Sequence, residues 1–501
     1  MRSLALALVL AAAAGAAAPG CSSPELDGTT WGCASDGDCG EGFACALAGD
    51  AGRCVRSDGA GAIRLGMSAP FQGPYAELGI EVRRGMEAYF TKVNRQGGVR
   101  GRPIELISRD DGYEPAAARA NMKELLDVQA EVGDPDRPDV LGPNGVLAVV
   151  GNVGTPTMLE TVPLAMKNRV VFFAPFTGAN EYLRDDTKSP YVFNYRASYY
   201  EETAAMVDYL FKVRAPRVVG HDHVIAFAQD DSFGDAGYVG FSNAYNVAVA
   251  PLPSEDAILR VNYRRADPVN STRNESVPEV TRRLAALVPP PPAGGAPPAP
   301  AVPVAILMVD TYAAGNALIR DVKDWLNASA DRAAGLDVVF LHVSFVGSDS
   351  LAEQLTTTPD TYVDALTGER RSYAGGVIVT QVVPDYLSQA SGVVEYRADV
   401  AANDQGAYSF NSLEGYLAAK LFVEALRRHE GPLTSPALVQ TLEGKMTDVD
   451  VGIGQPLGFS LADHQASHKV WGSRLRDDPA SGGAKFEIIW TWTPAGRIAL
   501  E

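Results

Sequence analysis

Positive charge is in short supply in this 501-residue chain. Its 43 Lys and Arg stand against 61 Asp and Glu, a formal net charge of −18 at pH 7. Nucleic acid and anionic membrane surfaces would repel such a chain, which sets both aside as partners. Cysteine is scarce and confined: the five are Cys21, Cys33, Cys39, Cys45 and Cys54, so the main body has no cysteine nucleophile. Long apolar runs are missing too; beyond the N-terminal stretch no segment approaches the roughly 18 apolar residues of a spanning helix. The chain has no G-x-S-x-G elbow, no G-x-x-x-x-G-K-[ST] loop, no H-E-x-x-H and no G-x-G-x-x-G after its first strand. Of six histidines, His464 and His468 lie four apart in "DHQASH", but two ligands without a third make no metal site. Asp110-Asp111 and Asp230-Asp231 follow strands and read as caps and turns rather than acid/base pairs. No enzymatic step, cofactor or metal is expected.

What is present begins with an export signal. Arg2 precedes the apolar run "LALALVLAAAAGAAA", Leu4 to Ala18, too short and too rich in small residues for a spanning helix. It ends in "APGCSS", which resembles a bacterial lipoprotein signal and implies lipidation of Cys21. The expected location is the cell envelope, lipid-anchored on the periplasmic side; by resemblance to sorting signals, Ser22 favours the outer membrane. The other four cysteines crowd into "WGCASDGDCGEGFACALAGDAGRC", which in an exported chain reads as a disulfide-stapled module. Three connectivities are possible, of which Cys33–Cys45 with Cys39–Cys54 is favoured.

From Ile63 onward strands and amphipathic helices alternate. "AIRLGMSAP" is a strand, "ELGIEVRRGMEAYFTKVNRQGG" a helix stopped by Gly97-Gly98, and "RPIELISRDDG" a strand. The alternation recurs after residue 220 and predicts parallel sheets covered by helices on both faces. In "VVFFAPFTGANEYLR", Val170 to Arg184, a buried strand runs into a small-residue loop, and a helix is expected after it. Two segments interrupt the pattern as surface insertions: Glu131 to Gly145, and the Pro/Ala/Gly tract "LVPPPPAGGAPPAPAVPV", Leu287 to Val304.

"IRLGMSAPFQGPYAELG", "NRQGGVRG", "ISRDD", "VVGNVGTPTM", "FFAPFTGANEYLR", "VFNYRASYYEE", "AQDDSFGDAG", "MVDTYAAGNALIRD", "GVIVTQVVPDY" and "SLEGYLAAKLFVEALRR" follow in order. The set resembles the type I periplasmic solute-binding proteins, in particular the leucine/isoleucine/valine-binding (branched-chain amino acid ABC transporter substrate-binding) family. The resemblance implies an α/β fold of two lobes, two Rossmann-like parallel sheets joined by three hinge crossings, behind the disulfide-rich segment. Expected boundaries are 1–21 for the signal and lipidation cysteine and 22–60 for the module and linker. Lobe I takes 61–193 with 375–448, and lobe II takes 194–374 with 449–501, including the insertion at 287–304.

The resemblance also implies a site. In open parallel sheets ligands bind where strand ends meet helix N-termini, whose unpaired N–H groups suit a carboxylate or amide oxygen. Gly154 and Thr155 take the position that meets the ligand carboxylate, with Phe176, Thr177 and Gly178 beside its head group. Phe233 stands where the family places a ring over the ligand. Thr311 and Tyr312 lie on another strand-end loop, and Tyr199 and Arg196 near the hinge. One departure stands out. Where branched-chain amino acid binders carry the acid that pairs with the ligand ammonium, this chain has Ser344. A buried ammonium without a counter-charge is costly, which counts against a standard α-amino acid and leaves an amide, urea-like compound, carboxylate or peptide fragment open as the ligand, unless Glu201, Glu202 or Asp310 substitutes for the acid and admits an amino acid. The implied partner is an ABC permease or a sensory protein.

Overall fold

The computed structural model describes residues 32–40, 43–48, 51–56, 61–180, 183–185, 187–290, 299–356, 361–403, 406–478 and 483–500. The signal segment with Cys21 lies outside the described residues. In the module, strands Phe43–Ala48 and Ala51–Arg56 form an antiparallel pair joined by Gly32–Cys33. Disulfides link Cys33 to Cys45 and Cys39 to Cys54, the favoured pairing.

The first lobe is built on β1 (Ile63–Ala69), α1 (Ala76–Arg95), β2 (Ile104–Asp110), α2 (Pro115–Leu125), β3 (Ala148–Val150), α3 (Thr155–Asn168), β4 (Val171–Phe173) and β5 (Val192–Phe193). The five strands are parallel, in the order β5-β4-β3-β1-β2. The chain then crosses to α4 (Tyr199–Asp208), β6 (Val224–Gln229), α5 (Ser232–Ala248), β7 (Leu259–Tyr263), α6 (Val277–Leu287), β8 (Val302–Val309), α7 (Tyr312–Asn327), β9 (Leu336–His342) and β10 (Val377–Gln381). It returns through α8 (Ser391–Ala402), α9 (Phe410–Arg428) and α10 (Ser435–Lys445), and ends in β11 (Val470–Asp478), β12 (Gly483–Thr493) and β13 (Arg497–Leu500). The second sheet runs β7-β6-β8-β9-β10-β11-β12-β13. Strands β6 and β10 are buried at every position, and β8 at all but its first. Such unbroken apolar runs are what a sheet covered on both faces requires.

Four expectations need correction. The second sheet is mixed: β10 pairs antiparallel with β11, and β11 to β13 form an antiparallel meander. Its packing rests on Gly472, where a Cβ would come within 1.9 Å of the Trp490 indole. The return to lobe I falls after Gln381, not at 375, because β10 hydrogen-bonds to β9 in the second sheet. The last crossing lies near Gln465, not at 449, since Phe459 still packs edge-on against Phe173 and Phe193 of lobe I. The Pro-rich insertion is shorter than 287–304: Leu287 ends α6, Val302 opens β8, and Val304 is fully buried. The insertion at 131–145 is pinned through Asp139, which accepts from Lys167 Nζ at 2.6 Å and Asn168 Nδ2 at 3.0 Å.

Helices α1 and α9 cross backbone to backbone. A Cβ on Gly85 would lie 1.8 Å from the Ser412 carbonyl oxygen, and one on Gly415 would lie 2.2 Å from that of Val82. Backbone atoms cannot swing aside as side chains do. Gly85→Ala is therefore expected to cost about 2–3 kcal/mol, at the upper end of overpacking. Gly444→Ala, in α10 with nothing within 4 Å of the new carbon, is expected to be neutral or to gain up to about 1 kcal/mol. Urea midpoints of the two variants check the contrast.

Candidate functional site

Strand-end loops of both sheets converge between the lobes. In lobe I, residues Gly151–Gly154 connect β3 to α3, and Gly154 adopts φ +98°. A Cβ there would sit 2.0 Å from the Tyr113 ring, so only glycine lets that ring lie on the loop. The β3 and β4 loops are laced by the Phe176 N–H to Asn152 (2.7 Å) and the Gly154 N–H to Phe176 (3.2 Å). The lacing brings the hydroxyls of Thr155 and Thr177 to 2.7 Å, and the Thr177 hydroxyl donates to Tyr199 Oη at 3.3 Å.

The helix expected after Thr177 is not seen among the described residues. The loop instead docks on the start of α4: the Tyr199 N–H donates to the Gly178 carbonyl at 2.6 Å. A side chain on Gly178 would strike the Tyr199 ring at 2.5 Å. Helix α4 starts there because Ser198 and Glu201 form a reciprocal capping box.

From lobe II, Phe233 is set by Asp231, which caps α5 by accepting from the Phe233 N–H at 3.0 Å. Phe345, just past β9, lies 4.7 Å from Phe233, 5.6 Å from Phe176 and 6.1 Å from Tyr113, centroid to centroid. Tyr199 meets Phe233 at 5.5 Å, and Tyr75 meets Tyr113 at 4.8 Å. Rings of the two lobes thus touch one another, all of them buried, and Tyr199 joins them to the threonine pair. The expected residues Gly154, Thr155, Phe176, Thr177, Gly178, Tyr199 and Phe233 are brought together. Thr311 is not part of that group; its N–H and hydroxyl face Tyr263 Oη, which donates to Gln229. Tyr312 turns toward Leu78 and Gly347. Sequence reasoning missed Tyr75, Tyr113 and Phe345. The usable signal was position, since each follows the end of a strand by a few residues.

Ser344 directly precedes Phe345 in the chain. Its N–H and hydroxyl donate to Glu202 at 2.7 and 3.0 Å, and Thr380 donates to the same carboxylate. Glu202 therefore stands behind Ser344 as an anchored acid, raised above the usual carboxylate range by burial and held back by Arg196. Arg196 donates to the Ser344 hydroxyl and lies 3.2 Å from Glu414. Burial pushes Glu414 up to about 7 against the pull of Arg196. Asp310 faces His342 at 2.8 Å rather than Ser344.

The first and third crossings run side by side. His464 stacks on Phe193 at 4.1 Å, and His468 contacts Glu201 at 2.6 Å and Asp463 at 3.1 Å. Among the described residues, the grouped metal-type donors Cys33, Cys39 and Cys54 have their sulfurs in disulfides.

The profile of a family described as "Periplasmic binding protein" matches residues 62–248 and 333–483. The chain belongs to this family of periplasmic binding proteins. Similar in structure is a possible leucine/isoleucine/valine-binding protein from Rhodopirellula baltica, 33% identical, covering 85% of this chain and 96% of its own, with a TM-score of 0.66. A branched chain amino acid ABC transporter from Thermus thermophilus with bound valine shares the fold at 16% identity and a TM-score of 0.62, covering 88% of this chain and 97% of its own. In sequence, the Leu/Ile/Val-binding protein homolog 2 of Brucella abortus is 30% identical over 116 residues, 23% of this chain. The matched part spans about a quarter of that relative's length, 27%. As a periplasmic binding protein the chain has a solute-binding role, in a family of substrate-binding proteins rather than enzymes, on the extracytoplasmic side of the envelope. Among the described residues no helix is long and apolar enough to cross a membrane.

The hinge of this binding protein carries a pH-linked contact. Hydrogen bonds to Asp463 and Glu201 raise His468 from its ordinary value of 6.5 to about 10. A raised folded value means that the contact contributes fully below pH 6.5 and is lost as pH climbs through 10. His468→Gln should therefore lower urea stability most at pH 6 and least at pH 10.5. A difference from wild type that is equal at both pH values contradicts this.

Proposed function

We propose that this binding protein captures a small amphipathic ligand, amino-acid-like, amide or carboxylate, by closing its lobes over it, and delivers it to an ABC importer. What carries the reading is the Thr155–Thr177 hydroxyl pair, 2.7 Å apart, joined through Tyr199 to rings supplied by both lobes. The first N–H groups of α3 offer donors to a polar head group, and the Thr155 hydroxyl can exchange its bond to Thr177 for one to the ligand. The rings of Tyr113, Phe176, Phe233 and Phe345 offer an apolar surface to its body. Contacts made to both lobes at once exist only in the closed form, so a ligand that makes them shifts the population toward closure. No covalent step is needed. Lipid on Cys21 would hold the chain at the membrane, facing the permease.

A second reading is a sensor that reports occupancy to a protein partner. The disulfide module at 32–56 favours it, since it lies ahead of the matched family region and adds surface that capture alone does not use. Co-purification with a permease or with a signalling protein separates the two.

The test is a thermal-shift screen of the full chain against amino acids, amides and small carboxylates. A ligand at 100 times its dissociation constant adds about 2.7 kcal/mol to stability. The expected outcome is a hit whose shift disappears in both Thr155→Val and Thr177→Val. A hit untouched by either change keeps solute binding and removes this site. No hit with a folded sample counts against capture.

A further inference from the structure

Arg196 leaves the first crossing, between β5 and α4, and is fully buried. Its Nε lies 3.2 Å from Glu414, and its Nη2 donates to the Ser344 hydroxyl. The Glu414 contact is an ion pair without hydrogen-bond alignment, so neither Nε nor Nη1 has a hydrogen-bond partner. The guanidinium carbon sits 4.6 Å from the centre of the Phe176 ring, next in sequence to Thr177 and in contact with Phe345 across the cleft. A fully buried cation with an unanswered donor, against the aromatic rings where the two lobes meet, is out of balance: buried N–H groups of charged side chains are rarely left unbonded. The neighbouring acids do not answer it. Both oxygens of Glu202 are engaged, by Ser344 and Thr380, and Glu414 faces Nε. What Nη1 lacks is an acceptor.

Building on the cleft as the solute site, we propose that Arg196 is its specificity-determining residue and takes a planar oxygen acceptor from the ligand, a carboxylate or an amide carbonyl. An ammonium at this end would meet the guanidinium and is rejected. The ligand class is thus an acid or amide with an apolar body, not an α-amino acid held through its ammonium. The two acceptor types differ in charge. A carboxylate adds a third acidic group to Glu202 and Glu414, so its binding draws a proton into the cluster; an amide does not.

Calorimetry on the full chain with four matched probes tests this: hydrocinnamate, hydrocinnamamide, phenylalanine and 3-phenylpropylamine. The acid or the amide should bind at least ten-fold more tightly than phenylalanine, and the amine should not bind. Arg196→Lys, which keeps the charge but loses the planar fork, should weaken the preferred probe by about ten- to a hundred-fold, the value of one charged hydrogen bond. Repeating the titration in buffers of different ionisation enthalpy reports proton uptake for a carboxylate and none for an amide. Phenylalanine or the amine binding as tightly as the acid and the amide overturns the proposal, and that ranking is read on the wild-type chain even if the variant does not fold. If all four are silent, the acceptor assignment fails. Solute binding survives that result if the wider screen yields a hit, and the Thr155–Thr177 site survives with it only if that hit is sensitive to Thr155→Val.

Discussion

The Asn194 backbone donates to the His464 carbonyl at 2.7 Å and accepts from the Ala466 N–H at 2.8 Å. Its side-chain amide donates to Leu183 at 2.7 Å. These bonds lace the first crossing between the lobes to the third and hold the loop that follows β4. Tyr195, Arg196 and Ser198 come next in the chain, so the position of the guanidinium, the start of α4 and the Tyr199 ring all follow from where Asn194 is fixed. Glu201 and His468 add a charged contact to the same seam. The cleft is therefore built by a hinge more than by either sheet.

Much of the fold was legible in the sequence because the long apolar runs of β6 and β8 admit few settings other than a doubly covered sheet. The C-terminal meander was not. Its strands alternate charged and apolar residues, and their packing depends on Gly472 admitting Trp490, a contact 18 residues away that no local pattern announces. The same holds for Gly85 and Gly415, whose role appears only when two helices far apart in sequence touch.

The site was legible where it lies on strand-end loops whose motifs are local, as with Thr155 and Thr177. It was illegible where the partner is long-range. Phe345 sits beside Ser344, yet its significance comes from rings at 113, 176 and 233. Glu202 was named as a substitute for the missing acid, but the structure shows it spent on Ser344 and Thr380. The acid is thus a support for the loop carrying Ser344, with the buried Arg196 guanidinium on the other side of that hydroxyl.

A cleft whose walls come from both lobes has a mechanical consequence. Small-angle scattering of the full chain, with and without a saturating ligand from the thermal-shift screen, measures it directly. The account predicts a smaller radius of gyration with ligand, and no such decrease in Thr177→Val at the same concentration. An unchanged radius at saturation in the wild-type chain would contradict capture by lobe closure.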